Sequence, residues 1–262
     1  MRDFRSSTIE AEGQMSLIYI FAASAMEGAP VHKIAVPSSS SLPSRCGPND
    51  LVLVTGGMGP KNARSKAEAA FATGKPDAVL VIGLCGGLTP SLPEGRVVAY
   101  TECQSTEATN SPLHCSYIIT DLIVELLKSS SITCDRVVGI TSSRIATTRD
   151  ERSALARDGA TVVDMESYSI VKAATNAGTP VVVLRVVGDS IDQELPDFNR
   201  ALNDSGALDG RKAFKVALGS PLRTARLLAA SRRAMQRISG ALEIVLKAGC
   251  FLQSKSSAPR PL

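Results

Sequence analysis

The chain has 262 residues, 44% of them hydrophobic, with 29 basic side chains against 25 acidic ones and a formal net charge of +4. That length and apolar content support one large α/β core, and the charge excess is too small to argue for a nucleic-acid partner. Trp is absent and aromatics are 4%, so the stacking platforms of a single-strand binder are missing too. Six cysteines without a CxxC pair and two histidines, His32 and His114, argue against a zinc site and a disulfide framework. No metal is expected, and reduced thiols suit a cytoplasmic protein.

Residues 1–14 carry mixed charges without an apolar core region, so they read as a disordered tail and not as a signal peptide. Leu17 to Ala23 is the first expected strand, followed by a turn from Ser24 to Pro30. Residues Pro37 to Asp50 are Ser/Pro/Gly-rich and predict a surface loop. Leu51 to Val54 is a second strand running into TGGMGP (Thr55 to Pro60), after which Ala63 to Ala72 has helical periodicity. Ala78 to Ile82 is a third strand ending in GLCGGL (Gly83 to Leu88), and Arg96 to Thr101 a fourth. Tyr117 to Lys128 reads as an amphipathic helix, Arg136 to Ile140 as a strand and Thr148 to Arg157 as a helix.

Thr161 to Val163 is a β-branched run, and Asp164 stands where it caps a helix with apolar positions Met165, Ile170, Ala173, Ala174 and Ala177. Gly178 and Pro180 stop that helix. Val181 to Val187 is then an apolar run of the kind buried on both faces in a parallel sheet. Leu195 to Leu208 reads as a loop-rich crossing, and Arg211 to Lys247 as helical. Alternating strands and helices predict a three-layer α/β/α sandwich around a mostly parallel mixed sheet. A single domain is expected over residues 15–250, with a flexible tail over 251–262.

This order delivers Glu166 to the first turn of a helix and Asp189 to the end of a buried strand, where open α/β sheets bind ligands. An Asp beside apolar surface gains proton affinity and can protonate a leaving group. A helix N-terminus relieved by a negative charge would account for Glu166 as well, and a cap or turn for Asp189. Both glycine segments sit at strand ends, where a missing Cβ lets a ligand approach the backbone. Neither has the full context of the dinucleotide GxGxxG fingerprint, which sets a dehydrogenase aside.

The motifs GMGPKNA (Gly57 to Ala63), GLCGGL, VDMES (Val163 to Ser167) and RVVGDSID (Arg185 to Asp192) resemble the purine nucleoside phosphorylase and nucleosidase superfamily from Leu17 to Asp192. The segment LPDFNRALNDSGALDG with the Arg-rich helix after it is similar to the hopanoid-associated branch, whose members are taken to remove adenine from adenosylhopane. The resemblance implies cleavage of a purine N-glycosidic bond, with Asp189 as the acid that protonates the base. It implies Glu166 on the ribose hydroxyls, Met165 under the sugar, and Gly57, Gly59, Cys85, Gly86 and Gly87 as backbone bordering the substrate. The substrate is a small purine nucleoside, no cofactor is needed, and inorganic phosphate is a candidate co-substrate. Relatives assemble, so a homo-oligomer is expected.

Departures leave the nucleophile open. The turn AMEGAPV keeps Glu27 but has Ala29 where hydrolytic relatives carry the water-activating glutamate, and Val81 and Leu84 replace the Arg and Ser that hold phosphate. Lys61, Arg144 and Arg149 remain as candidate anion ligands, each equally readable as a solvated surface charge. Gly188 stands where many relatives have Ser. A methylthioadenosine- or adenosylhomocysteine-type nucleosidase and a non-catalytic nucleoside binder are the alternatives. From Arg211 to Gln236 there is no acidic residue, and Arg223, Arg226, Arg233 and Arg237 share one helical face. That face is either solvated or a weak peripheral contact with the inner side of a membrane.

Overall fold

The computed structural model describes residues 15–36, 43–107, 111–203 and 208–251. Strands and helices follow as β1 (Ser16–Ala22), α1 (Ala25–Ile34), β2 (Ser44–Cys46), β3 (Asn49–Val54), α2 (Pro60–Thr73), β4 (Ala78–Gly87), β5 (Val97–Ser105) and β6 (Leu113–His114). They continue as α3 (Tyr117–Ser129), β7 (Cys134–Thr141), α4 (Arg149–Leu155), β8 (Val162–Asp164), α5 (Ser167–Asn176), β9 (Val181–Asp189), α6 (Gly210–Gly219) and α7 (Pro221–Lys247), with 3-10 turns at Arg157–Gly159 and Phe198–Ala201.

Successive strand residues point to opposite faces, and both faces are apolar, so the sheet has two cores. Ile18, Ile20, Leu80, Ile82, Val182 and Leu184 pack against α1, α3 and α7. Tyr19, Phe21, Val79, Val81, Val181 and Val183 pack against α2 and α5. This is the expected α/β/α layering. The sheet runs β2-β3-β1-β4-β8-β7-β5-β6, and β9 lies between β4 and β5. Parallel pairs join β1 to β3 and β4, β4 to β9, and β7 to β5 and β8. Antiparallel pairs join β2 to β3, β4 to β8, β5 to β6 and β5 to β9. Strands β4, β9, β5, β7 and β8 therefore close into a ring.

Several boundaries differ from the expectation. Residues 25–34 form a helix instead of a turn: Ser24 Oγ accepts from the Glu27 amide as its cap, and Pro30 sits inside it. GLCGGL is not a loop but the continuation of β4, because Gly86 and Gly87 pair with Val163 and Val162 of β8. The long basic segment is two helices, broken at Ser220 before Pro221. Phe251, expected to begin a tail, is buried in the first core. The tails at 1–14 and 252–262, and residues 37–42 of the Ser/Pro loop, lie outside the described residues.

Candidate active site

The end of β9 is shaped by a bulge. Cys85 pairs with Val187 but Gly86 with Asp189, so Gly188 has no partner on β4. Such an extra residue re-aims the side chain beside it. Asp189 is 7% exposed. Gly86 leaves room for it: a Cβ there would lie 3.3 Å from both carboxylate oxygens and 3.2 Å from Val163 Cγ1.

Arg152, on α4 behind a Thr148/Glu151 capping box, holds that carboxylate. Its Nη2 donates to Asp189 Oδ2 at 3.0 Å, and the pair is buried. The remaining donors reach Ser190 O at 2.6 Å, Ala146 O at 3.2 Å and, at the limit of a hydrogen bond, Gly87 O at 3.5 Å. Burial raises the proton affinity of Asp189 and Arg152 opposes it; burial wins, so the acid holds its proton above the ordinary aspartate range.

A second buried arginine organises the remaining carboxylates. Arg185 of β9 donates to Ser167 Oγ (3.0 Å), Leu84 O (2.7 Å) and Glu166 Oε2 (3.2 Å), and lies 3.4 Å from Asp164 Oδ2. Asp164 Oδ1 accepts from Thr141 Oγ1 and from the amides of Glu166 and Ser167. Asp164 thus receives the cap bonds expected of it, although α5 begins only at Ser167 and Glu166 precedes the helix instead of lying in its first turn. Burial works to raise the pKa of Asp164, but Arg185 and these hydrogen bonds outweigh it and hold the group below its usual value.

Glu166 Oε1 accepts from the Gly59 amide at 3.1 Å. Burial pushes the Glu166 carboxyl up to about 7, against the pull of Arg185 and with the charges of Asp164 and Glu27 adding to the rise. Each of its oxygens is engaged once and keeps a lone pair, so hydroxyl donors still find acceptors there.

Glu27 completes this group. Its Oε1 accepts from the Leu84 amide at 2.8 Å, while the buried Oε2 has no protein partner among the described residues. Gly83, at φ +145°, makes this possible, since a Cβ would fall 2.6 Å from Glu27 Oε1 and 3.1 Å from Arg185 Nη1. Burial raises the pKa of Glu27, with Arg185 opposing. Ala29, at the position matched to the water base, does not line the cavity, and Glu27 does.

Asp189, Glu166, Glu27, Met165, Cys85 and Gly86 line one cavity of about 340 Å³, within the size range of small-molecule sites. Arg144 and Arg152 line it too, and the apolar lining residues that are also solvent-exposed, Met26, Leu208 and Leu228, mark its mouth, with the half-buried Phe198 and Leu227 also lining it. Other candidates fall elsewhere. Gly57 lies against Ala63, where a Cβ would come within 3.2 Å of the α2 backbone. Gly59 bonds Glu166 and Gly87 meets Arg152, both outside the cavity lining. Lys61 lines a separate cleft with Tyr168 and Lys172. Arg149 pairs with Asp192 at 2.9 Å on the surface. A wider cleft of about 630 Å³ carries Arg200, Lys212 and Lys215 but none of the buried carboxylates.

Arg152 was not foreseen. Within TTRDERSALAR it reads as one charge of a solvated helix; the available signal was its placement three and four residues before Leu155 and Ala156, on one helical face.

An acid at a strand end that shares a cavity of nucleoside size with hydroxyl-accepting carboxylates defines the nucleoside phosphorylase and nucleosidase class of enzymes. The chain belongs to the phosphorylase superfamily, whose family model matches residues 45–218. A 5′-methylthioadenosine/S-adenosylhomocysteine nucleosidase from Neisseria meningitidis, solved with methylthio-immucillin-A, superposes with a TM-score of 0.68 at 16% identity, over 89% of this chain and 100% of that one. Futalosine hydrolase of Helicobacter pylori gives 0.67 at 14%, over 89% and 98%. S-adenosylhomocysteine nucleosidase from Streptococcus pyogenes, with 5-methylthiotubericidin, gives 0.63 at 20%, over 87% and 97%. At these identities the likeness is one of fold. Comparison with curated proteins gave no match.

Proposed function

We propose that this enzyme releases adenine from a nucleoside carrying a bulky apolar 5′ group, of the adenosylhopane type, with Asp189 as general acid. The observation that carries this reading is the content of one cavity: Asp189, Glu166 and Glu27 all line it, and apart from Arg144 its exposed lining residues are apolar. Asp189 gives its proton to the base as the C1′–N bond breaks, so adenine leaves neutral instead of as an anion. Glu166 accepts from the sugar hydroxyls beside an oxocarbenium-like centre. The 5′ substituent then lies along Met26, Phe198, Leu208, Leu227 and Leu228.

Water is the favoured nucleophile. Glu27 Oε2 is a buried acceptor without a protein partner, placed to take a proton from an attacking water, whose hydroxide forms the new C1′–O bond. Two carboxylates in the same cavity lining disfavour an approaching phosphate dianion. Phosphorolysis is the second reading, supported by Arg144 in the cavity lining. A panel of adenine nucleosides with 5′ hydroxyl, methylthio and long alkyl groups, incubated with and without phosphate, tests both points. Free ribose derivative without phosphate supports hydrolysis, ribose 1-phosphate supports the second reading, and no adenine from any member of the panel would retire the function.

A further inference from the structure

The described residues expose nine large apolar side chains, and five of them, Leu208, Phe214, Leu218, Leu222 and Leu228, fall between positions 208 and 228. α6 buries none of its residues. Phe214 and Leu218, one turn apart on one face, are 63% and 64% exposed, and Leu222, just past the break, is 77% exposed. The charge around them is one-sided. Residues 210–242 hold eight basic and no acidic side chains, leaving 21 basic against 25 acidic in the rest of the chain. Arg223 and Arg233 of α7 pair with Glu194 and Glu94, and the apolar face of α7 is in the core. α7 thus packs its apolar face on the sheet with its arginines outward, the first of the two readings its periodicity allowed. Arg211, Lys212 and Lys215 of α6 remain exposed beside Phe214.

The position of α6 gives this surface a purpose. Leu208 immediately precedes it and Leu227 and Leu228 follow in α7, and these leucines line the cavity, Leu208 and Leu228 at its mouth. We infer that α6 with Leu222 is an interfacial helix that seats the cavity mouth on an anionic lipid bilayer. A cationic helix with apolar side chains at its exposed face is the physical description of such a segment. A two-fold contact between copies through the same face would set like charges against each other, which disfavours a second molecule of this chain as the occupant.

Cosedimentation of the full chain with phosphatidylcholine vesicles, and with phosphatidylcholine–phosphatidylglycerol vesicles, tests the assignment without any substrate, so its outcome is separate from that of the glycosidic reaction. Binding is expected on the anionic vesicles, with release at high salt as screening shortens. Lys212→Gln with Lys215→Gln should weaken it roughly 25-fold, about fivefold per charge. Phe214→Ser, Leu218→Ser and Leu222→Ser together should abolish it while circular dichroism and the thermal midpoint stay unchanged, because these side chains are in solvent. Equal binding to neutral and anionic vesicles, or undiminished binding by the serine variant, would overturn the assignment. So would a fall in molar mass of that variant in sedimentation velocity without any vesicle binding by the parent, which would give the face to a second copy.

Discussion

The floor of the cavity holds its charges by burying them against arginines, Asp189 on Arg152 and Glu166 on Arg185. The mouth is hydrocarbon supplied by separate segments of the chain, with Met26 and Leu228 about half exposed. Asp189 and Glu166 are each paired with a buried arginine that is itself bonded to neighbouring backbone, so removing either partner strands a charge in the interior. Mouth residues are held by little beyond dispersion and solvent exclusion. Under the proposed function the difference separates two properties: proton chemistry is assigned to the buried layer, and choice of 5′ group to the exposed one.

The sharpest way to break this division is Asp189→Asn. Adenine release should fall by about 10²–10⁴ with the fold kept by circular dichroism, because the amide oxygen still accepts from Arg152, while the thermal midpoint drops as that buried arginine loses its countercharge; an unaffected rate would place the acid elsewhere. Arg152→Gln comes next. It should cost up to about 3–5 kcal/mol in urea titrations at pH values where Asp189 is ionised. It also removes the opposition to proton binding by Asp189, so the alkaline limb of kcat/KM should move to higher pH, and a downward shift would contradict the pairing.

Glu166 sharpens the comparison through stability. Its folded pKa of about 7 exceeds the ordinary 4.5, so the stability tied to its protonated form is fully present below the lower value and lost as pH rises through the upper. The loss is about 3 kcal/mol at most. Thermal unfolding across that window should slope downward in the parent and less so in Glu166→Gln. Glu27→Gln should lower release without phosphate by about 10² and leave a phosphate-supported reaction less affected, as product analysis would reveal. The smallest effect belongs to the mouth: Leu228→Asn should raise KM for a 5′-alkyl nucleoside about fivefold relative to adenosine, roughly 1 kcal/mol of lost burial.

Much of the layering was legible because the central strands are uninterrupted apolar runs; Val181 to Val187 needs no partner to be recognised. What stayed hidden depended on distant pairings. GLCGGL looks like a turn because glycine breaks most strands, yet Gly86 and Gly87 carry β4 onward to meet β8, some 75 residues away in sequence. Residues 25–34 looked like a turn because Gly28 and Pro30 are poor helix formers. Gly28 packs closely there, since a Cβ would lie 3.0 Å from Thr55 Cγ2 and 3.1 Å from Leu53 Cδ2 and would need both side chains to shift slightly. The proximity of Glu166 to Asp189 was inferable from strand order, but the arginine behind each carboxylate was not. Nothing in RVVGDSID names the carboxylates that Arg185 meets, and Arg152 reads only as a surface charge.

Ring closure through β4, β9, β5, β7 and β8 has a further consequence for how copies of this chain can meet. It leaves β2 and β6 as the termini of the sheet path, strands of three and two residues. Each offers too short a row of free amides and carbonyls to template a neighbour. Self-assembly by extending the sheet from one molecule into the next is thereby discouraged, and any quaternary contact is left to side chains on helices and loops.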